Sequence, residues 1–177
     1  MPEILLGAGS NHTKKLGNDG REAWDGLITV DFNDDHRPDV VHDLSVLPLP
    51  FPDDFADEIH AYDVMEHIGQ QGDWRFFFDQ WSDIWRVLKP GGHFFGISPH
   101  WTSPWAWGDP GHTRVLGPEI MIFLSQPNYA ANVGNTPMTD YRFCYRADFD
   151  LVYSVIRKDR QYEYALQAVK PSRVVMP

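Results

Sequence analysis

Short apolar runs alternate along this chain with polar, turn-rich stretches, and one segment carries a helical period. Ile4–Leu6 form an apolar run that breaks at Gly7, which predicts a first strand. "LITVDF" (27–32) is rich in β-branched residues, ends near an acid, and predicts a second. "DVVHDL" (39–44), after Pro38, is the third, and "DEIHAY" (57–62), after the turn-rich "LPLPFPDDF", the fourth. Next, Trp74, Phe77, Phe78, Trp81, Ile84, Trp85 and Leu88 recur at three- and four-residue steps, which places them on one face of a helix. Pro90, Gly91 and Gly92 stop it. "HFFGIS" (93–98) is a fifth strand, and "DFDLVYSVI" and "QYEYALQAV" flank "RKDR" as an antiparallel hairpin. This order predicts an α/β fold with a mostly parallel sheet and a C-terminal antiparallel hairpin.

Two stretches depart from a plain α/β repeat. Residues 11–26 are mostly polar and contain Gly17, Gly20 and Gly26, so no long first crossover helix is expected. Residues 99–147 form a long segment rich in aromatic residues, among them Trp101, Trp105 and Trp107. A long irregular segment in a compact domain is usually a lid or a binding loop. The 177 residues are therefore read as a single domain, 1–177, with 99–147 as a lid or acceptor-binding insertion.

Charge narrows the range of partners. The formal net charge is −10 and no Lys/Arg cluster offsets it, so a nucleic acid is not expected as the main partner. Cys144 is the only cysteine, which rules out a disulfide within the chain and fits a reducing cytoplasm. No basic-then-apolar leader and no long apolar run is present, so neither secretion nor membrane spanning is expected.

In open parallel sheets, ligands bind beyond the carboxyl ends of the strands. The first strand ends in Gly7-Ala8-Gly9-Ser10, where glycines allow a sharp turn and a close backbone approach. The second ends in Asp31-Phe32, and a carboxylate there can accept two hydrogen bonds from a ribose diol. At the end of the third, Asp43 can accept from an adenine amino group while Leu44 covers the ring. The fourth ends near Tyr62-Asp63. Each feature alone also reads as a plain turn, a solvated acid or a turn cap. Together, in strand order, they outline a slot for an adenosine-bearing ligand.

Four segments extend this reading: "LLGAGS", "ITVDF", "VVHDLSVLPLPFPDDFADEIHAYDVMEHI" and "WRVLKPGGHFFGIS". In this order they resemble the class I S-adenosylmethionine-dependent methyltransferases. The resemblance implies a Rossmann-like fold and S-adenosyl-L-methionine as cofactor. It places Gly7, Ala8 and Gly9 along the methionine part, Asp31 with Phe32 at the ribose, Asp43 with Leu44 at the adenine, and Tyr62 near the sulfonium. Two positions depart from the family: Leu5 stands where an acid is usual, and Asn11 where a further glycine is frequent. The short glycine-containing link after Asn11 suggests a compact subgroup. "DPGHTR" (109–114) is similar to a "DP-x-H-x-R" segment of some members.

Three rival readings stand beside it. A nicotinamide-dependent oxidoreductase would need G-x-G-x-x-G opening a helix, but the third glycine position is His12. A metal hydrolase could draw on His100, Asp109 and His112, but their spacing reads better as a polar loop, and no metal ligand is assigned. A catalytically silent, cofactor-binding protein would share the whole strand pattern. For the enzyme, the expected acceptor is a small molecule or a sugar-containing one. With the first strand at the start of the sequence, the acceptor pocket is expected from residues 99–147. His100 and His112 are the candidate general bases, with Asp109 orienting His112. His67 reads as structural, and Cys144 has no activating neighbour in sequence.

Overall fold

Seven strands form one sheet, ordered β3-β2-β1-β4-β5-β7-β6, in the computed structural model, which describes residues 1–20 and 22–174. They are β1 (Glu3–Leu6), β2 (Leu27–Asp31), β3 (Val40–Val41), β4 (Ala56–Tyr62), β5 (Leu88–Pro99), β6 (Phe149–Ile156) and β7 (Gln161–Ala168). The first five are mutually parallel, while β7 runs antiparallel to β5 and β6 antiparallel to β7. The hairpin turns at "RKDR", where the Arg157 N–H donates to the Gln161 carbonyl at 2.8 Å. The chain moves outward from β1 to β3 and returns to place β4 on the other side of β1. The strand order therefore reverses between β1 and β4. This is the Rossmann-like α/β arrangement; the last three residues of the expected domain 1–177 lie outside the described residues.

The third strand is shorter than the sequence pattern suggested. Only Val40 and Val41 pair with β2. Asp43 instead turns the chain, accepting the Ser45 N–H at 2.8 Å, because a short carboxylate competes well for a nearby backbone donor. The helical stripe forms α1 (Trp74–Val87), capped by Asp73, which accepts the Phe76 N–H at 3.2 Å. Leu88 belongs to β5 rather than to the helix, since the Lys89-Pro90 step behind it favours extended backbone. Phe77, Phe78, Trp81 and Ile84 are buried against one face of the sheet, with the Trp81 ring 5.0 Å from that of Phe94.

Residues 99–147 are more ordered than an irregular loop. They contain α2 (Trp105–Gly108), α3 (Pro118–Met121) and α4 (Gln126–Asn132). Leu116, Met121, Leu124, Tyr129 and Tyr145 are fully buried and extend the core begun by α1, with Tyr145 4.8 Å from Phe78. Burial of such side chains stabilises by about 1.5–3 kcal/mol each, which makes this part of the segment structural. Among the described residues, no helix is long and apolar enough to cross a membrane.

The opposite sheet face is covered by residues 11–20 and 22–26, in which a 3-10 turn at Asn18–Gly20 is the one helical element among the described residues. Lys14 is buried beneath this cover, its ammonium 2.9 Å from Glu3 and 2.7 Å from Glu58. His60 contacts Glu58 at 3.1 Å, and Trp24 lies over both Lys14 and His60. Burial opposes the Glu58 charge, but His60 and Lys14 outweigh it and hold the carboxyl down to about 2 against an ordinary 4.5. The folded-state value is depressed. The resulting stabilisation is therefore complete above about pH 4.5 and disappears as pH falls towards 2.

Removing Lys14 should leave two buried carboxylates facing each other. Lys14→Met is expected to lower stability by about 3–5 kcal/mol in urea unfolding at neutral pH. Glu58→Gln should flatten the loss of stability on acidification, seen as a smaller change of the urea midpoint between neutral and acid pH. An unchanged acid limb in that variant would assign acid sensitivity to other carboxylates.

Candidate active site

A cleft of about 570 Å³ opens beyond the carboxyl ends of β1, β2 and β4, where the strand order reverses. Gly7, Gly9, Asp31, Phe32, Asp43 and Leu44 all line it. The glycine turn is needed for two reasons. Gly7 and Gly9 have φ of +59° and +53°, which L side chains adopt at a cost. A Cβ on Gly7 would also lie 2.5 Å from Val64 Cγ2.

Asp31 fastens this turn to β2. One carboxylate oxygen accepts the Gly9 N–H at 2.8 Å, and the other accepts the Asn33 N–H at 2.8 Å. His36 stands 3.4 Å from the first oxygen. Burial raises the Asp31 pKa, but the Asn33 and Gly9 donors, with His36, outweigh it and hold the carboxyl below its usual value. Phe32 projects at the rim, 76% exposed, and Leu44 forms a buried part of the wall. Ala8 sits behind the turn, buried, with its N–H on the Val30 carbonyl at 3.0 Å.

Tyr62 is not on the cleft. Side chains alternate along a strand, so Tyr62 follows Glu58 and His60 onto the Lys14 face. Its hydroxyl accepts the Leu16 N–H at 3.2 Å and contacts His60 at 2.7 Å. Burial pushes its pKa up to about 12. Asp63 and Val64, the next two residues, line the cleft in its place.

One turn further on, a 3-10 helix at Met65–His67 brings up two residues that the sequence pattern did not single out for chemistry. His67, expected to be structural, lines the cleft. Glu66 is buried beside it and accepts the Ser98 hydroxyl at 2.9 Å. Burial, with Asp63 and Asp109 adding to it, pushes the Glu66 carboxyl up to about 7. The strand-end rule, carried one turn past β4, would have found the Glu66-His67 pair.

The three predicted catalytic residues separate into two groups. His112 lies against His67, ring centres 4.5 Å apart, and its Nε2 is 3.9 Å from Asp109. This is too long for a hydrogen bond. His100 is buried at the end of β5, with Nδ1 2.8 Å from the Thr102 hydroxyl and its ring against Trp101 and Tyr162. Trp101 and Trp107 are exposed and, with Phe123, wall a separate groove of about 690 Å³. Trp105 is exposed but lies outside that groove.

A family model described as a methyltransferase domain matches residues 21–96. Solved structures share the fold at low identity. A SAM-dependent methyltransferase from Aquifex aeolicus is 13% identical with a TM-score of 0.59, the match covering 96% of this chain and 82% of that one. One from Archaeoglobus fulgidus is 16% identical with a TM-score of 0.56, covering 94% and 85%. The N-methyltransferase NodS from Bradyrhizobium japonicum WM9, in complex with S-adenosylhomocysteine, is 16% identical with a TM-score of 0.54, covering 96% and 78%. No curated protein matches the chain. The fold is that of the class I S-adenosylmethionine-dependent methyltransferases. With the methyltransferase-domain match over residues 21–96, the chain is similar in fold and in part of its sequence to S-adenosylmethionine-dependent methyltransferases.

The glycine turn makes a sharp structural prediction. Gly7→Ala should cost about 1–2 kcal/mol in backbone strain, plus the displacement of Val64. In urea unfolding, Gly7→Ala/Val64→Ala should recover only the steric part relative to Val64→Ala alone. Complete recovery would mean that backbone strain at this turn is negligible.

Proposed function

We propose that the protein methylates a hydroxyl or amine of a small-molecule or sugar-containing acceptor, bound in the aromatic groove beside the cofactor cleft. The groove carries this reading. Its walls include Trp101, Trp107 and Phe123, whose faces suit a planar or sugar ring, and Glu119 adds a hydrogen-bond acceptor. His67 and Ile68 line the cleft and Gln71 the groove, so one short strap runs between the two sites. The acidic chain fits an acceptor of this kind better than a polyanion.

The cofactor fits the cleft by chemistry as well as by size. Gly7 and Gly9 leave room for its amino-acid part, Asp31 retains lone pairs for the ribose hydroxyls, and Asp43 and Leu44 receive the adenine. Exposed Phe32 supplies a further ring face at the rim. When bound, the cofactor supplies a methyl group carried on positively charged sulfur. An acceptor lone pair would take that methyl in line, with the sulfur leaving as a neutral thioether. The protein's main contribution is to hold the two in line. A base takes the acceptor's proton. His100 and His112 are the candidates; Asp109, 3.9 Å from His112 Nε2, would orient it on closing to hydrogen-bond distance, and the contact between His112 and His67 favours His112. Residues 99–147 then serve both as part of the core and as the acceptor-binding insertion of a single cytoplasmic domain.

Equilibrium binding of S-adenosylmethionine and S-adenosylhomocysteine is the first test, followed by transfer of a labelled methyl group to a fractionated metabolite extract. Binding without any labelled product would sink the acceptor reading. Asp31→Ala should weaken S-adenosylhomocysteine binding about ten- to a hundredfold, because hydrogen bonds to a charged group are worth about 1.5–3 kcal/mol. Asp43→Ala should cost less. Unchanged affinity in folded Asp31→Ala would refute the ribose assignment. Of His100→Ala and His112→Ala, the variant that removes a base should lower turnover about 10²–10⁴-fold with product affinity nearly unchanged.

A further inference from the structure

Glu66, His67 and His112 bring one potential metal-ligand atom each to within 4.8 Å of one another. Glu66 and His67 are each held by a hydrogen bond from one side. Glu66 has one oxygen on the Ser98 hydroxyl at 2.9 Å, and its other oxygen, Oε1, is buried with no hydrogen-bond partner. His67 Nδ1 is 3.1 Å from the Gly111 carbonyl, which can only accept, so the proton sits on Nδ1 and the lone pair on Nε2. His112 Nε2 lies on the Asp109 side, 3.9 Å from the carboxylate and beyond hydrogen-bond distance, and Nδ1 is the candidate ligand atom. His112 Nδ1 is also buried without a partner. Gly111 is confined by this arrangement: a Cβ there would lie 3.1 Å from His67 Nδ1 and 3.2 Å from an Asp109 oxygen. Its own N–H donates to Asp109 at 2.7 Å, which fixes the loop.

This is the pattern of a metal site whose outer hydrogen bonds orient the ligands. We infer that Glu66, His67 and His112 bind one divalent first-row metal ion at the edge of the cofactor cleft. Two imidazoles and one carboxylate suit zinc, iron or cobalt better than magnesium or calcium, which favour oxygen ligands. Three protein ligands leave a coordination position open. The inference rests on the methyltransferase reading only in what that position would do. It would hold an acceptor oxygen and lower its pKa beside the methyl group, with His112 acting as a ligand and His100 left as the base. The metal reading weighed from the sequence joined His112 to His100 and Asp109 rather than to Glu66 and His67, because those two lie 46 and 45 positions from His112 and meet it only in the fold.

Chelator-treated protein is titrated with Co²⁺ by visible absorption and with Zn²⁺ by calorimetry. One equivalent should bind, with a cobalt spectrum showing nitrogen ligation. His67→Ala, His112→Ala and Glu66→Gln should each weaken binding at least about tenfold, and Ser98→Ala about 10–100-fold. His42→Ala, on the loop after β3, should bind as the parent does. Circular dichroism and S-adenosylhomocysteine binding check the fold of each variant. If a variant fails to fold, Co²⁺ added to the parent should perturb the ring protons of His67 and His112 before those of the other histidines. No binding at millimolar metal, unchanged affinity in folded His67→Ala and His112→Ala, or uniform perturbation of all histidines would overturn the site. Metal-free protein that binds S-adenosylhomocysteine but no metal refutes this inference alone; protein that binds neither also refutes the methyltransferase reading.

Discussion

Glu3 and Glu58 stand directly opposite each other on the parallel pair β1 and β4. Two carboxylates in adjacent, buried positions repel strongly unless a cation joins them. Lys14 is that cation, and it arrives from the irregular link that replaces a first crossover helix. The same ion pairs therefore draw the link around Lys14 onto a sheet face that, among the described residues, has no long helix to cover it. The two strands so joined are those whose ends flank the cleft, which ties the site to the buried charges beneath it.

Much of this was legible in the sequence because it depends on local pattern. Apolar runs ending in glycine or acid marked β1, β2 and β4, the apolar run after Pro90-Gly91-Gly92 marked β5, and the spacing from Trp74 to Ile84 marked α1. Six cleft-lining residues, Gly7, Gly9, Asp31, Phe32, Asp43 and Leu44, followed from asking what ends each strand. Tyr62 was misplaced because strand-end position was weighed without the side-chain alternation that sends it to the Lys14 face. Residues 99–147 read as irregular because their helices run to no more than about two turns, too short to show a period. The Lys14 pairs and the meeting of His67 with His112 join residues far apart in sequence, and no local pattern signals them.

The two sheet faces do different work. The α1 face is an apolar core to which the 99–147 segment contributes Tyr129 and Tyr145, while its exposed Trp101 and Trp107 wall the groove. One segment thus links core packing to the groove wall. The other face is sealed largely by charge and hydrogen bonds, from Asn18 and His60 to the Tyr62 hydroxyl.

The hold of Asp31 on Gly9 and Asn33 has a thermodynamic consequence. Glycine-rich turns lose more conformational freedom on ordering than other segments, and a ligand that had to order such a turn would bind correspondingly more weakly. Here the protein's own carboxylate restricts the turn during folding. A ligand entering the cleft would then meet the turn already ordered, with no loop-ordering cost to set against its binding.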